Sequence, residues 1–158
     1  MDHIRQHMTA FATAIAAKVR ALRATAATSA QQQRLRESIS DDIKKATNFH
    51  PHHQSVAAQD FASSSGIDLT GKTWHDQHHF DPKRRIFVVE HKRTVGSIRE
   101  LCIQAEAEDR ILEILTKEIC AVWVLREEDD RLTRLGFRVR RPDPDDAYRQ
   151  AGIEIAKQ

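Results

Sequence analysis

Arg85-Ile86-Phe87-Val88-Val89-Glu90-His91-Lys92 is the stretch on which the second half of the chain turns. Residues 86–89 are apolar without alternation, the pattern of a strand covered on both faces. The run ends in a carboxylate, one spacer and a lysine. Such a strand belongs at the centre of a sheet, and ligands of open α/β sheets collect at the C-terminal ends of strands. Residues 119–125 form a second continuous apolar run, expected to be central too. Between the two runs, behind Thr94 and Gly96, the residues Ile98, Leu101, Cys102, Ala105, Leu112 and Leu115 recur at helical spacing. Residues 127–135 predict a short helix closed by Gly136, and Phe137-Arg138-Val139-Arg140 alternates as a half-exposed edge strand does. Residues 142–146 restart a helix that runs to the end, with acids where the helix dipole favours them. The order from Arg85 is β-α-β-α-β-α, which predicts parallel pairs with helices on both faces. Upstream, residues 71–80 predict a first strand, and residues 81–84 a turn that returns the chain into Ile86.

Towards the N-terminus, Met8, Phe11, Ile15, Val19 and Leu22 mark one apolar helix face. Small polar residues from Thr25 to Ser29 break that pattern and offer an N-cap for a second helix. The second helix carries a thin stripe of Leu35, Ile39, Ile43 and Ala46. So narrow a stripe buries little by itself, and the pair is expected to pack on the domain or on another copy. Pro51 ends this helix, and residues 54–66, with Ser63-Ser64-Ser65-Gly66, read as a linker or mobile loop. The expected fold class is α/β: an N-terminal helical hairpin (residues 1–53), the linker (54–66), and a small three-layer α/β domain with a mixed sheet (67–158).

Composition sets outer bounds. The chain has 158 residues, 30% charged and 40% hydrophobic, as in ordinary globular domains. No apolar run reaches the roughly 20 residues that span a bilayer, so no membrane partner is expected. Asp2 is the only acid before Glu37, while Arg5, Lys18, Arg20, Arg23 and Arg34 fall in the same stretch. An Ala-rich, acid-poor start of this kind fits a transit peptide or an amphipathic helix. Cys102 and Cys120 lie inside apolar patterns and read as buried thiols of a reducing, cytoplasmic compartment.

The strand ending in Glu90-His91-Lys92, with Asp76 on the expected hairpin partner, resembles the core of the PD-(D/E)xK nuclease superfamily. About 90 residues, from Leu35 to Leu125, can be laid onto that core. The resemblance implies a metal-dependent nuclease acting on DNA or RNA, with Asp76 and Glu90 as ligands of Mg²⁺ or Mn²⁺ and Lys92 beside the attacking water. Asp81 is the substitute for Asp76, and Glu37 a helix-borne acid. The chemistry is that of two carboxylates converging on a hard cation, which stabilises phosphodiester charge and acidifies bound water. Arg93-Thr94-Val95-Gly96-Ser97-Ile98 resembles the acyl-coenzyme A pyrophosphate loop of GNAT-type acetyltransferases, and Leu135-Gly136-Phe137 a late motif of that family. That resemblance implies anion capture at a helix N-terminus.

Two histidine clusters, His50/His52/His53 and His75/His78/His79, raise the question of a transition metal. On a strand, however, His75 and His78 point to opposite faces. Lys83, Arg84, Arg85, Arg93, Arg138 and Arg140 form basic groups suited to a polyanion. Three functions therefore stay open: a nuclease-like domain, an acyltransferase, and a non-catalytic module that assembles with itself or a partner protein through the N-terminal helices.

Overall fold

The computed structural model describes residues 2–24 and 28–157, and the fold is α/β with a three-stranded mixed sheet. The chain divides into two compact units, Met1–His50 with Val95–Ile119, and Pro51–Thr94 with Cys120–Gln158.

The first unit is helical. Helix α1 (Asp2–Ala24) buries Met8, Ala12, Ile15, Ala16 and Val19, and α2 (Ser29–Thr47) buries Ile39, Ile43 and Ala46. Thr28 caps α2: its hydroxyl accepts the Gln31 N–H, and the Gln31 side chain accepts the Thr28 N–H. The stretch expected to hold this cap begins at Thr25, and Thr25, Ala26 and Ala27 lie outside the described residues. Helices α5 (Val95–Ala105) and α6 (Glu108–Glu118) close the unit, adding Ile98, Cys102, Ile111 and Leu115 to the same core. The stripe of α2 is thus covered inside its own unit, by helices that sequence order assigns to the sheet. Lys18 pairs with Asp42 at 2.5 Å and Arg36 with Glu100 at 2.8 Å, tying α1 to α2 and α2 to α5. Burial pushes the Cys102 thiol up to about 12, so it packs as an inert apolar group.

The second unit holds the sheet, in the order β1 (His53–Gln54), β3 (Ala121–Leu125), β2 (Phe87–His91). The central strand is β3, parallel to β1 and antiparallel to β2. Two sequence expectations change here. Strand β2 is an edge strand, and its pairing with β3 is antiparallel. The connection runs through α5 and α6, of 11 residues each, before the chain returns. It re-enters where it left, with His91 opposite Ala121 and the Lys92 N–H on the Cys120 carbonyl at 2.9 Å.

Side chains alternate across β3 and separate two cores. Val122 and Val124 meet Leu132 of α7 (Arg126–Arg134) and Tyr148 of α8 (Pro144–Gln150). Trp123, on the other face, meets Phe87, Leu69, and Ala58 and Ala62 of α3 (Val56–Ser64). Helix α3 lies within the expected linker. Ser55 caps it, its hydroxyl accepting the Ala58 N–H at 3.0 Å and donating to buried Glu128 at 2.6 Å. Residues 71–80 form no strand. They fold as a 3-10 turn (Trp74–Asp76) followed by the four-residue helix α4 (Gln77–Phe80). The expected edge strand at Phe137 is a turn that closes α7, with Gly136 at φ 82° and the Phe137 N–H on the Leu132 carbonyl. Helix α8 stops at Gln150 in the same manner, the Ile153 N–H reaching the Tyr148 carbonyl.

Asp81 binds the irregular segment to β2. Its carboxylate accepts the N–H groups of Arg85, Ile86 and Phe87 at 2.9–3.0 Å and the Gln77 amide at 3.1 Å. Burial raises its carboxyl, but these donors outweigh burial and hold it below the ordinary value of 3.8. A lowered folded value means that the stabilisation is fully present above the unfolded value and is lost as pH falls through the folded one. An asparagine offers one acceptor and turns two hydrogens towards donors. Asp81→Asn is therefore expected to cost about 1–3 kcal/mol in urea unfolding at pH 7. The difference from wild type should begin to shrink below about pH 4, where the aspartate of the unfolded chain protonates, and vanish as pH falls through the lowered folded value.

Candidate functional site

The residues singled out by the E-x-K pattern have separate environments. Asp76 ends the 3-10 turn and its carboxylate accepts the Thr73 N–H at 2.8 Å and hydroxyl at 3.0 Å, which lowers its carboxyl. Its surroundings are Thr73, Lys72 and His79. Glu90 stands opposite Val122 on the α7/α8 face of the sheet and accepts Arg141 at 2.5 Å. Lys92 is ion-paired with Asp145. Asp76 and Glu90 thus share no partner, and Asp81 is engaged by Gln77 and the β2 backbone. Glu37 belongs to the helical unit and accepts the Gln33 amide at 3.0 Å. Among the described residues no group of three or more His, Cys, Asp or Glu side chains is placed to hold a metal ion.

Arg141 is the functional-looking residue that sequence order hid. It is 2% exposed and, besides Glu90, donates to the carbonyls of His91 at 2.8 Å, Lys92 at 3.0 Å and Phe137 at 3.0 Å. These bonds hold the end of β2 against the turn after α7. Burial raises the Glu90 carboxyl, Arg141 opposes that shift, and the Asp129 charge adds to it. Beneath the pair, burial lifts the Tyr148 phenol well above its ordinary range, and its hydroxyl has no hydrogen-bond partner among the described residues. Lys92, Asp145, Tyr148, Arg149 and Ile153 line an open cleft of about 500 Å³ nearby.

The histidines divide as well. His50 and His52 are buried, His52 with its ring 6.1 Å from Trp123. His75, His78 and His79 are exposed on the 3-10 turn and α4, His78 donating through Nδ1 to the His75 carbonyl and stacking on His79 at 3.7 Å. In the stretch compared with an acyl-coenzyme A loop, α5 begins at Val95, and Ile98 is fully buried in the helical core.

The basic residues come together in two places, one at each end of β2. At the far end the Thr94 hydroxyl donates to the Val139 carbonyl at 3.3 Å, so Arg93 lies beside the turn carrying Arg138 and Arg140. At the near end the Arg84 guanidinium lies 3.9 Å from the ring centre of Trp74, and Arg126 donates to the Arg84 carbonyl at 2.5 Å. His75 meets the Trp74 ring edge-on at 5.2 Å. Lys83 and Arg85 flank Arg84, both exposed, and Lys72 is held two residues before Trp74 by its carbonyl, which accepts the buried Trp123 indole N–H at 3.2 Å. This near end has Lys72, Lys83, Arg84, Arg85 and Arg126 as cations. Of the acids around it, Asp81 is buried, Asp76 is engaged by Thr73, Asp68 beside Lys72 accepts the Thr70 N–H, and Asp129 and exposed Glu127 accompany Arg126. Trp74 itself is 44% exposed. The chemistry on offer is binding of anionic groups beside a flat aromatic ring.

No protein-family model, curated protein or solved structure matches the chain. No described helix is long and apolar enough to cross a membrane.

Two substitutions test the buried centre. Arg141→Ala leaves Glu90 unpaired and is expected to cost about 3–5 kcal/mol in thermal or urea unfolding; the Glu90→Leu/Arg141→Met double variant should recover the share owed to the unpaired charge and not that of the three carbonyls. Tyr148→Phe removes an unpartnered buried hydroxyl, so its unfolding free energy should match or exceed wild type; a loss above about 1 kcal/mol would contradict the geometry.

Proposed function

We propose that this protein binds nucleic acid, through the surface formed by Lys72, Trp74, Lys83, Arg84, Arg85 and Arg126. The observation that carries the proposal is the Arg84 guanidinium lying over an exposed Trp74 ring, within a surface whose cations outnumber its free carboxylates. Phosphates recruit such cations through release of condensed counterions. A planar guanidinium also recognises phosphate in a bidentate manner and stacks on an aromatic ring, roles a lysine fills poorly. The formal charge of the whole chain is only +2, so the attraction is local to this surface. The proposal is for binding and not for hydrolysis, because Glu90 and Lys92 are committed to Arg141 and Asp145. Assembly through the α2 stripe has less in its favour, since Ile39 and Ile43 are fully buried within the helical unit.

The test is fluorescence anisotropy of labelled DNA and RNA over a salt series. The Lys83→Gln/Arg84→Asn/Arg85→Gln variant suits it, because asparagine tolerates the left-handed backbone of Arg84, at φ 49°. Binding should weaken for every sequence, and the slope of log affinity against log salt should fall by about 2–3. An Arg93→Gln/Arg138→Gln/Arg140→Gln variant should bind nearly as wild type does. If that second variant loses binding while the first keeps it, the interface lies at the other end of β2. If wild type binds nothing at low salt, the proposal fails.

A further inference from the structure

Resting on that reading, we infer that the nucleic acid taken by this surface is single-stranded, with an unpaired base stacked on Trp74. The elements that form the surface are a three-residue 3-10 turn and α4, a helix of four residues. At about 1.5 Å per residue α4 is roughly 6 Å long, too short to lie in the major groove of a duplex as recognition helices do. The sheet edge offers no substitute, since β2 reaches this surface only through the turn at Arg84 and Arg85. Base-edge readout of a duplex therefore has no structural element behind it.

Trp74 offers a different contact. Its backbone is fixed on both sides: the Lys72 carbonyl is held by the Trp123 indole, and Thr73 is held by the Asp76 carboxylate. The ring meets His75 and Arg84, while Phe61, Phe80, Phe87 and Trp123 contact one another, and it remains 44% exposed. An indole left out of an adjacent aromatic core, supported by a guanidinium at 3.9 Å, is a stacking platform. Only an unpaired base can present its π-face to it, because duplex bases are already stacked on each other. Lys83, Arg85 and Arg126 then stand where the phosphates on either side of that base run.

The experiment titrates oligothymidylate, a single-stranded RNA of equal length, and a duplex of equal length against intrinsic tryptophan fluorescence and anisotropy. Trp123 is fully buried and serves as the unresponsive emitter. Both single strands should bind at least ten-fold tighter than the duplex and quench fluorescence. Trp74→Leu should abolish the quench and weaken single-strand binding about ten-fold or more, a larger loss than it causes for the duplex, and Trp74→Phe should restore much of the affinity. Equal binding of single strand and duplex, or quenching that survives Trp74→Leu, overturns the single-strand inference and leaves the nucleic-acid reading standing. Absence of binding to every probe overturns both.

Discussion

Asp81 accepts three consecutive backbone N–H groups, and the sheet unit depends on that arrangement. Those donors belong to Arg85, Ile86 and Phe87, the residues through which the chain enters β2. An edge strand has one free row of backbone groups, and its first residues would otherwise fray. With the carboxylate in place, Phe87 enters the aromatic core and its partner on β3 is fixed as Leu125. Gln77 completes the arrangement, donating to both Asp81 and the Phe87 carbonyl, at 3.1 and 2.7 Å. The Asp81 carbonyl closes the turn of residues 82–84 by accepting the Arg84 N–H, and Arg84 is left-handed with its guanidinium over the Trp74 ring. Fold and candidate surface thus share one buried aspartate.

At the opposite end of β2 the corresponding anchor is a cation. Arg141 takes the His91 and Lys92 carbonyls together with the Glu90 carboxylate, closing the strand against the turn after α7. Burying a guanidinium without partners is prohibitive, and four acceptors compensate it. Glu90, by contrast, has its carboxyl raised, so the pair is asymmetric. The arginine is well satisfied and the carboxylate less so. The value of the pair lies in register as much as in stability, because only one alignment of β2 brings Glu90 under Arg141. An acid at a strand end followed by a lysine therefore has a structural use here that its spacing does not advertise.

Local patterns disclosed α1, α2, α7 and both long strands, merged α5 and α6 into one helix, missed α3 and α4, and disclosed little of what joins the elements. The stripes of α1 and α2 are periodic and the apolar runs of β2 and β3 are continuous, and both carry their burial in the residue order. The cap of α3 was legible as well: Ser55 precedes an apolar start and Gly66 follows the end, but the run Ser63-Ser64-Ser65 outweighed them as a loop signal. Residues 71–80 failed for a different reason. His75, His78 and His79 carry no helical signature, and the 3-10 turn is closed by the Asp76 carboxylate accepting the Thr73 N–H and hydroxyl. The direction of β2 against β3 was not local at all. It is set where the chain returns, with His91 opposite Ala121 and the Lys92 N–H on the Cys120 carbonyl. Arg141 lies 51 residues from its carboxylate and reads as one more surface base beside Arg138 and Arg140.

That distribution separates what supports the candidate surface from what touches a ligand. Asp81, Gln77, Trp123 and Arg141 are buried and hold backbone, and their loss would damage the unit as a whole. Lys83, Arg85 and Trp74 are exposed, make no core contact, and sit on backbone that others have fixed. A side chain positioned by rigid neighbours and free of structural duty is well prepared to bind, because little entropy remains to be lost in its backbone. The exposed indole is the telling member. Residues of its type are mostly drawn into cores, and the aromatic core of Trp123 and three phenylalanines is tied to the same segment through the Trp123 indole on the Lys72 carbonyl. Left outside and supported by Arg84, Trp74 retains apolar area that water solvates poorly, and a stacked base would cover it.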